Sequence, residues 1–249
     1  MIYFIGAGPG AIDLITVRGQ KLLAQADMVI YAGSLVNREL LDYCRADCEM
    51  LDSAHMTLEE VLAAMKRGDG AQRTVVRLHT GDPSIYGAIR EQMDALDDMG
   101  MEYQVVPGVS ALNAAAAALR AEYTLPGVSQ TVIVTRMAGR TPVPEGEQLR
   151  GLAAHGATMA LFLSAGMLDK VCAELIAGGM SPDTPAALVY KATWPDERVI
   201  RATLATLPEA GRGYERTALV LVGGFLGDAY ERSRLYDPAF SHGYREASK

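Results

Sequence analysis

The chain has 249 residues, of which 49% are hydrophobic and 21% charged, so it can bury one large core or two smaller ones. A formal net charge of -7 disfavours a nucleic-acid groove, because phosphate binding needs clustered lysines and arginines. No apolar run reaches the length of a membrane span, and residues 1–6 lack the basic start of a secretion signal. We therefore expect a cytoplasmic protein without a nucleic-acid or membrane partner.

The sequence offers little support for metal or disulfide chemistry. Cys44, Cys48 and Cys172 are an odd number of cysteines without a C-x-x-C pair, which argues against a disulfide framework. No histidine stands near Cys44 and Cys48 at the spacing of metal ligands. We expect no bound metal and interpret the thiols as structural.

The chain begins with a strand, a glycine turn and a helix. These are predicted at residues 2–5, 6–10 and 14–26. Gly6, Gly8 and Ala11 fit the dinucleotide fingerprint G-x-G-x-x-G/A, so a dinucleotide-binding oxidoreductase is one interpretation. The next predicted strand, residues 28–32, does not end in the acidic residue that would bind a dinucleotide ribose.

A second glycine turn follows a strand predicted at residues 73–78. Gly81 lets a backbone approach a ligand closely, and Pro83 suits the first turn of a helix, which we predict from Ser84 to Met99. The unpaired N–H groups of that first turn would then face a small ligand. Before this strand, the sequence TLEE at residues 57–60 predicts a capping box at the start of a helix.

Gly108 provides a third glycine turn, between a strand predicted at residues 103–106 and a helix at residues 113–119. Loops that follow the strands of a parallel sheet all lie along its carboxyl edge. We therefore expect the turns at Gly6, Gly81 and Gly108 to converge on one crevice.

The second half of the chain predicts a mixed sheet. Strands are expected at residues 131–135, 158–163, 185–190, 198–203 and 217–224. Two of them are joined by residues 191–197, which predict a long hairpin loop. We predict an N-terminal α/β domain at residues 1–120, a linker at residues 121–127 and a C-terminal α/β domain with a tail at residues 128–249.

Three motifs in the first half carry a resemblance to a known family. Residues 5–10 (IGAGPG), 80–83 (TGDP) and 106–111 (VPGVSA) resemble the successive motifs of the tetrapyrrole (corrin and sirohaem) methyltransferases. The resemblance implies two α/β domains, the first with a mainly parallel sheet covered by helices on both faces. It also implies a mixed sheet in the second domain, an active-site cleft between the two, and a homodimer.

Three further stretches narrow the resemblance. Residues 31–37 (YAGSLVN), 135–144 (TRMAGRTPVP) and 235–240 (LYDPAF) are similar to family members that methylate carbon 11 of precorrin-4 in cobalamin synthesis. The substrate is then an acidic tetrapyrrole, either metal-free or containing cobalt. The resemblance implies S-adenosyl-L-methionine as the cofactor.

The resemblance also implies site residues. For the methionine and ribose parts of the cofactor the implied contacts are Gly81, Asp82, Ile85, Tyr86, Ser110 and Ala111, with Pro9 close by. For the adenine, which would lie on the second domain, they are Leu163, Lys191, Ala192, Ala218 and Leu219. The resemblance implies that Gly8 and Gly10 face the substrate, and we add Arg136 and Arg140 as candidates because bidentate arginines suit its carboxylates. We expect catalysis by positioning, with Asp82 and Tyr86 as the candidates for a catalytic role.

Other functions remain open at the level of the sequence. A methyltransferase could act on another tetrapyrrole carbon, such as one in uroporphyrinogen-III, or on another acceptor such as the diphthamide precursor. A dinucleotide-binding oxidoreductase and a ligand carrier without activity are alternatives of a different class. No nucleophile elbow, cysteine–histidine pair or Walker motif is recognisable in the sequence.

Overall fold

The structure of the protein is a computed structural model that describes residues 1–33 and 35–247. The chain forms two compact units. Unit 1 contains Met1–Ala115 and Lys191–Glu197, and unit 2 contains Ala116–Tyr190 and the chain from Arg198 onward. Lys191–Glu197 falls inside the predicted C-terminal range of 128–249 but groups with unit 1. The predicted domain boundaries themselves stay a prediction.

Unit 1 is built on a parallel sheet of five strands in the order β3-β2-β4-β1-β5. The strands are β1 (Ile2–Gly6), β2 (Met28–Tyr31), β3 (Glu49–Asp52), β4 (Val75–His79) and β5 (Tyr103–Val106). Its helices are α1 (Val17–Gln25), α2 (Leu58–Gly70) and α3 (Arg90–Asp98), and α4 (Ala111–Leu119) begins in this unit, with its residues after Ala115 grouped in unit 2. The first half therefore has the parallel sheet that its glycine-turn pattern predicts.

Both faces of this sheet are covered. Ile5 and Val76 pack with α1 in one apolar cluster, whereas Phe4 and Val75 pack with α2 and α3 in another. Successive residues of a strand point to opposite faces, so the continuous apolar runs of β1 and β4 bury side chains on both sides. The prediction of a parallel sheet with helices on both faces is confirmed.

The helix predicted from Ser84 to Met99 is wrong in its first part, because α3 begins only at Arg90. Tyr86 and Ala88 have φ values of 54° and 49°, in the left-handed region that an α-helix does not contain. The Asp82 carboxylate also accepts the Ser84 N–H at 2.8 Å, which stabilises a turn instead of a helix. No helical first turn therefore faces a ligand at this point.

Side chains fix the starts of two other helices in unit 1. The Thr16 hydroxyl accepts the Gly19 N–H at 3.1 Å, so α1 begins later than predicted, after a short 3-10 turn at Ile12–Leu14. The capping box is confirmed, since Thr57 and Glu60 bond each other's backbone N–H groups at the start of α2.

Unit 2 contains a mixed sheet of five strands in the order β6-β7-β10-β8-β9. The strands are β6 (Val132–Arg136), β7 (Thr158–Phe162), β8 (Pro185–Tyr190), β9 (Arg198–Thr203) and β10 (Ala218–Val222). Its helices are α5 (Leu149–Ala153), α6 (Leu168–Ala177) and α7 (Leu207–Ala210). β6 runs parallel to β7, and the other neighbours are antiparallel, including the predicted β8–β9 hairpin. The mixed sheet is confirmed.

Candidate cofactor and substrate site

The three glycine turns of unit 1 meet at one edge of its sheet. They follow β1, β4 and β5, which are neighbours in the sheet. A Cβ atom on Gly6 would lie 2.5 Å from the Gly108 Cα and 2.6 Å from the Gly81 carbonyl oxygen. Only glycines allow backbones to approach this closely. The predicted convergence of the three turns is confirmed.

Hydrogen bonds join the first two turns directly. The Gly8 N–H donates to the Gly81 carbonyl at 3.2 Å, and the Gly81 N–H donates to the Gly8 carbonyl at 2.8 Å. Both residues have left-handed φ values, 79° for Gly8 and 60° for Gly81, which a residue with a side chain rarely adopts. The turn after β1 and the turn after β4 thus form one backbone unit.

Asp82 joins the second turn to the third. One carboxylate oxygen accepts the Gly108 N–H at 2.8 Å, and the other accepts the N–H and the hydroxyl of Ser84. Burial favours the protonated acid, but the hydrogen bonds from Ser84 and Gly108 outweigh it and lower the pKa of Asp82. Asp82 is therefore an ionised acceptor at neutral pH, with both oxygens engaged by the protein.

The remaining residues predicted for this part of the cofactor site lie beside the same turns. Tyr86 is 46% exposed, and Ile85 is half-buried in the same segment. Ser110 is buried, and its hydroxyl accepts the Leu112 N–H at 3.2 Å at the start of α4. The Ala111 nitrogen lies 3.6 Å from the place where a Cβ on Gly81 would stand. The fold thus gathers residues that are far apart in the chain.

The turn at Pro9 and Gly10 is held by groups that the sequence analysis did not single out. The Trp194 indole N–H donates to the Pro9 carbonyl at 3.0 Å, and its ring fills the space where a Gly10 side chain would stand. The Asn37 side-chain amide donates to the Gly10 carbonyl at 3.0 Å. The signals available in the sequence were that Trp194 is the only tryptophan of the chain and that Asn37 belongs to the stretch 31–37, which carries part of the resemblance.

Lys191 and Ala192, predicted on the adenine side, belong to the segment of unit 1 that carries Trp194. The Lys191 ammonium pairs with Asp196 at 2.7 Å and lies 5.6 Å from the centre of the Trp194 ring. Ala192 is buried. The charge of Lys191 is thus engaged within its own loop.

In unit 2, the predicted residues gather at one end of the sheet. Leu163 directly follows β7 and is 68% exposed. The register of Val220 opposite Leu161 brings Ala218 and Leu219, at the start of β10, to the same end. Ala218 is half-buried and Leu219 is buried.

The two predicted arginines differ in their surroundings. The Arg136 guanidinium donates to the carbonyls of Met137, Thr141 and Pro142 at 3.3, 3.1 and 2.6 Å. It therefore holds the loop that follows β6. Arg140 lies in this loop and is exposed.

Residues 31–37 lie beside the glycine turns, apart from Ser34, which is outside the described residues. The Gly33 N–H donates to Asp52 at 3.1 Å, and the Thr80 hydroxyl donates to the Leu35 carbonyl at 3.4 Å.

Within residues 1–33 and 35–247, no cluster of three metal-ligating side chains occurs, and no helix has the length and apolar character that a membrane crossing requires.

The fold and the converging glycine turns define a class of protein. The family model of tetrapyrrole (corrin/porphyrin) methylases matches residues 1–208. The chain belongs to this family.

Individual relatives match over nearly the whole chain. It is 51% identical to a cobalt-precorrin-4 C(11)-methyltransferase of Methanocaldococcus jannaschii, over 100% of this chain and 97% of the relative. It is 46% identical to a precorrin-4 C(11)-methyltransferase of Mycobacterium tuberculosis, over 96% of each.

Solved structures agree with these relatives. A cobalt precorrin-4 methyltransferase, described as a cobalamin biosynthetic enzyme, matches with a TM-score of 0.89 and 51% identity, covering 91% of this chain and 96% of that one. A uroporphyrin-III C-methyltransferase from Thermus thermophilus, complexed with S-adenosyl homocysteine, matches with a TM-score of 0.77 and 28% identity, covering 90% and 98%.

Proposed function

We propose that the protein transfers a methyl group from S-adenosyl-L-methionine to carbon 11 of precorrin-4 or cobalt-precorrin-4, in cobalamin biosynthesis. The observation that carries the proposal is the 51% identity to a relative with that activity in its name, over 100% of the chain. Relatives named for cobalt-precorrin-4 and relatives named for precorrin-4 both match over nearly the whole chain. The proposal therefore includes both forms.

The residues of unit 1 suit this cofactor. Three glycine turns pack backbone against backbone at the sheet edge, which places the predicted contacts from three separate stretches of the chain side by side. We propose Pro9, Gly81, Asp82, Ile85, Tyr86, Ser110 and Ala111 as its contacts in this unit. When bound, S-adenosyl-L-methionine supplies a strongly electrophilic methyl group on a positively charged sulfur. An ionised Asp82 favours a cationic ligand of this kind.

The chain contributes chiefly by positioning. Asp82 holds the turns after β4 and β5 together, so that the groups around a bound cofactor are fixed before the reaction. Both of its oxygens already accept hydrogen bonds, and its lowered pKa keeps it without a proton to give. We therefore assign Asp82 an electrostatic and organising role, and we keep Tyr86 as the second candidate for a catalytic role.

For the substrate carboxylates we propose a division of roles between the two arginines. Arg136 shapes the loop after β6 through three carbonyl contacts. Arg140, exposed in that loop, binds a carboxylate. Gly8 and Gly10 stay proposed for the substrate side, Leu163, Lys191, Ala192, Ala218 and Leu219 for the adenine, and the homodimer stays a prediction.

A dinucleotide is a poorer match to the first glycine turn. Gly8 exchanges backbone hydrogen bonds with Gly81, and Trp194 fills the space beside Gly10. The Gly8 N–H, one of the donors with which this turn would have to bind a pyrophosphate, is therefore already engaged. Family membership agrees with this argument.

The decisive experiment offers three acceptors to the purified protein with S-adenosyl-L-methionine labelled in its methyl group. The acceptors are precorrin-4, cobalt-precorrin-4 and uroporphyrinogen-III, and NMR locates the labelled carbon in each product. We expect label at carbon 11 of one or both precorrin-4 forms and none in uroporphyrinogen-III. Label at another carbon would overturn the proposal.

Arginine variants extend the same assay to the substrate site. Arg140→Ala should raise KM for the tetrapyrrole and leave the affinity for S-adenosyl-L-homocysteine unchanged. Arg150→Ala is the matched control, because Arg150 is also an exposed arginine of unit 2 and pairs with Glu174. An unchanged KM in Arg140→Ala would refute the role of Arg140 without affecting the proposed reaction.

A further inference from the structure

An arginine is buried in unit 1 beneath the turn that follows β4. Arg77 is only 8% exposed, and it shares its face of the sheet with Val75, which packs in an apolar cluster. Burial lowers the pKa of Arg77 to about 10, so the guanidinium is still charged at neutral pH. Among the residues that the structure describes, no carboxylate forms an ion pair with it.

An uncompensated buried charge is costly, and for stability alone an apolar side chain would serve better at this place. The contacts of Arg77 indicate another purpose. Its Nε donates to the Gln92 side-chain oxygen at 3.3 Å, and its Nη1 donates to the Ile30 carbonyl at 3.2 Å. Arg77 therefore orients Gln92, which is itself only 5% exposed.

Gln92 passes this constraint to the segment before α3. Its side-chain N–H donates to the Ala88 carbonyl at 2.9 Å. Ala88 and Tyr86 both have left-handed φ values, and the Pro83 carbonyl fills the place of a Gly87 side chain. A backbone in such unfavourable conformations persists only where surrounding contacts fix it.

The segment is thus fixed at both ends. At its start, Asp82 accepts hydrogen bonds from Ser84 and Gly108, and at its end Gln92 holds Ala88. Ile85 and Tyr86, two of the proposed cofactor contacts, lie between these anchors.

We propose that Arg77 and Gln92 are positioning residues, which hold residues 82–88 in the shape that presents Ile85 and Tyr86 to the cofactor. The inference rests on the proposed function for the identity of that ligand. The order of residues 82–88 does not depend on it. Arg77 fixes Gln92, Gln92 fixes the Ala88 carbonyl, and neither side chain touches the ligand.

The test compares a double variant with the wild type. Arg77→Met with Gln92→Leu replaces the buried polar pair by apolar side chains of similar size, so the melting temperature should stay at or above that of the wild type. Binding of S-adenosyl-L-homocysteine, measured by calorimetry, should weaken at least about tenfold. Amide hydrogen exchange within residues 82–88 should become at least about tenfold faster.

Two single variants complete the experiment. Gln92→Glu keeps an acceptor for Arg77 but loses the donor to Ala88, so it should reproduce the faster exchange and the weaker binding. Thr158→Val is the matched control, since it also removes a buried hydrogen bond, that of the Thr158 hydroxyl to the Tyr123 carbonyl in unit 2. Thr158→Val should change the affinity for S-adenosyl-L-homocysteine by less than about twofold.

The outcomes separate the two proposals. A double variant, or Gln92→Glu, that is folded and has wild-type exchange and wild-type affinity would overturn the positioning role. Failure of the wild-type protein to bind S-adenosyl-L-homocysteine would refute the proposed function. Hydrogen exchange within residues 82–88 would still test the positioning role in that case.

Discussion

The two sheets differ in where their strands end. In unit 1 all five strands are parallel, so the loops after β1, β4 and β5 leave the same edge side by side. In unit 2 most neighbours are antiparallel, so successive loops leave at opposite ends. The parallel arrangement brings three glycine turns into backbone contact, which no single stretch of the chain could do.

The units also bury different polar side chains. Within the described part of the chain, unit 1 buries Arg77, His79 and Gln92 besides the hydroxyl of Ser110, whereas the buried polar side chains of unit 2 are only the hydroxyls of Thr135, Thr158 and Ser164. Buried ionisable groups reduce stability unless they are compensated. Unit 1 therefore contains buried ionisable side chains that reduce its stability, close to its glycine turns, whereas unit 2 has a more uniform apolar core.

The largest expected effect comes from a substitution that forces the glycine turns apart. In Gly108→Ala the new methyl group would collide with the Gly81 carbonyl and approach the Gly6 Cα to 2.7 Å. Both obstacles are backbone atoms, so the turns must separate. We expect the free energy of unfolding to fall by about 3 kcal/mol, measured by urea denaturation.

Gly151→Ala is the control for this comparison. Gly151 lies in α5 of unit 2, and among the described residues nothing beyond its chain neighbours and the backbone of its own helix lies within 4 Å of a Cβ placed there. Alanine in a helix loses less conformational entropy on folding, so the variant should gain about 0.5–1 kcal/mol. Equal effects of the two substitutions would refute the claim that the backbone of the neighbouring turns leaves no space for a side chain at Gly108.

The second effect concerns acid stability. His79 is 5% exposed, and its pKa is lowered from 6.5 to about 3. Burial is the larger cause, and the nearby positive charge of Arg77 is the smaller one. Below pH 6.5 the imidazole of His79 binds a proton in the unfolded chain but stays neutral in the folded protein. The free energy of unfolding therefore decreases as the pH falls from 6.5 to about 3. Between pH 7 and pH 5 this amounts to about 2 kcal/mol.

His79→Phe removes that loss and keeps an aromatic ring stacked against Phe4. Urea denaturation at the two pH values should show a smaller drop in stability for the variant, by about 2 kcal/mol. An equal drop in both proteins would show that His79 is protonated in the folded state. The buried ionisable groups would then distinguish the stability of the unit 1 core less clearly from that of the unit 2 core.

The smallest effect concerns the turn after β1. Trp194→Phe removes the N–H that donates to the Pro9 carbonyl but leaves an aromatic ring beside Gly10. We expect a loss of about 1 kcal/mol in the free energy of unfolding. Hydrogen exchange should become faster in residues 8–11. Unchanged exchange there would show that Asn37 and Gly81 fix the turn without the indole.

A large part of the fold was predictable from the sequence. The strand and helix patterns, the parallel and mixed sheets, the hairpin of unit 2 and the capping box at Thr57 depend on local periodicity and on residues close in the chain. The convergence of the three glycine turns followed from a topological rule applied to that pattern.

The late start of α3 was not predictable in this way. Residues 84–89 carry an apolar spacing that suits a helix, but Asp82 captures the Ser84 N–H, and Gln92 holds the Ala88 carbonyl. These hydrogen bonds fix a backbone with left-handed residues that the local sequence does not indicate.

The sequence by itself determined the family, the class of fold and which glycines would lie together, because each follows from local patterns or from motifs read in order. Only the tertiary structure decided how the site is held: Trp194 against Gly10, Asp82 against Gly108, and the buried Arg77 behind Gln92. The partners in these contacts are 15 to 184 positions apart in the chain. Their pairing is set by packing and by the need to satisfy buried polar groups, which sequence periodicity does not record.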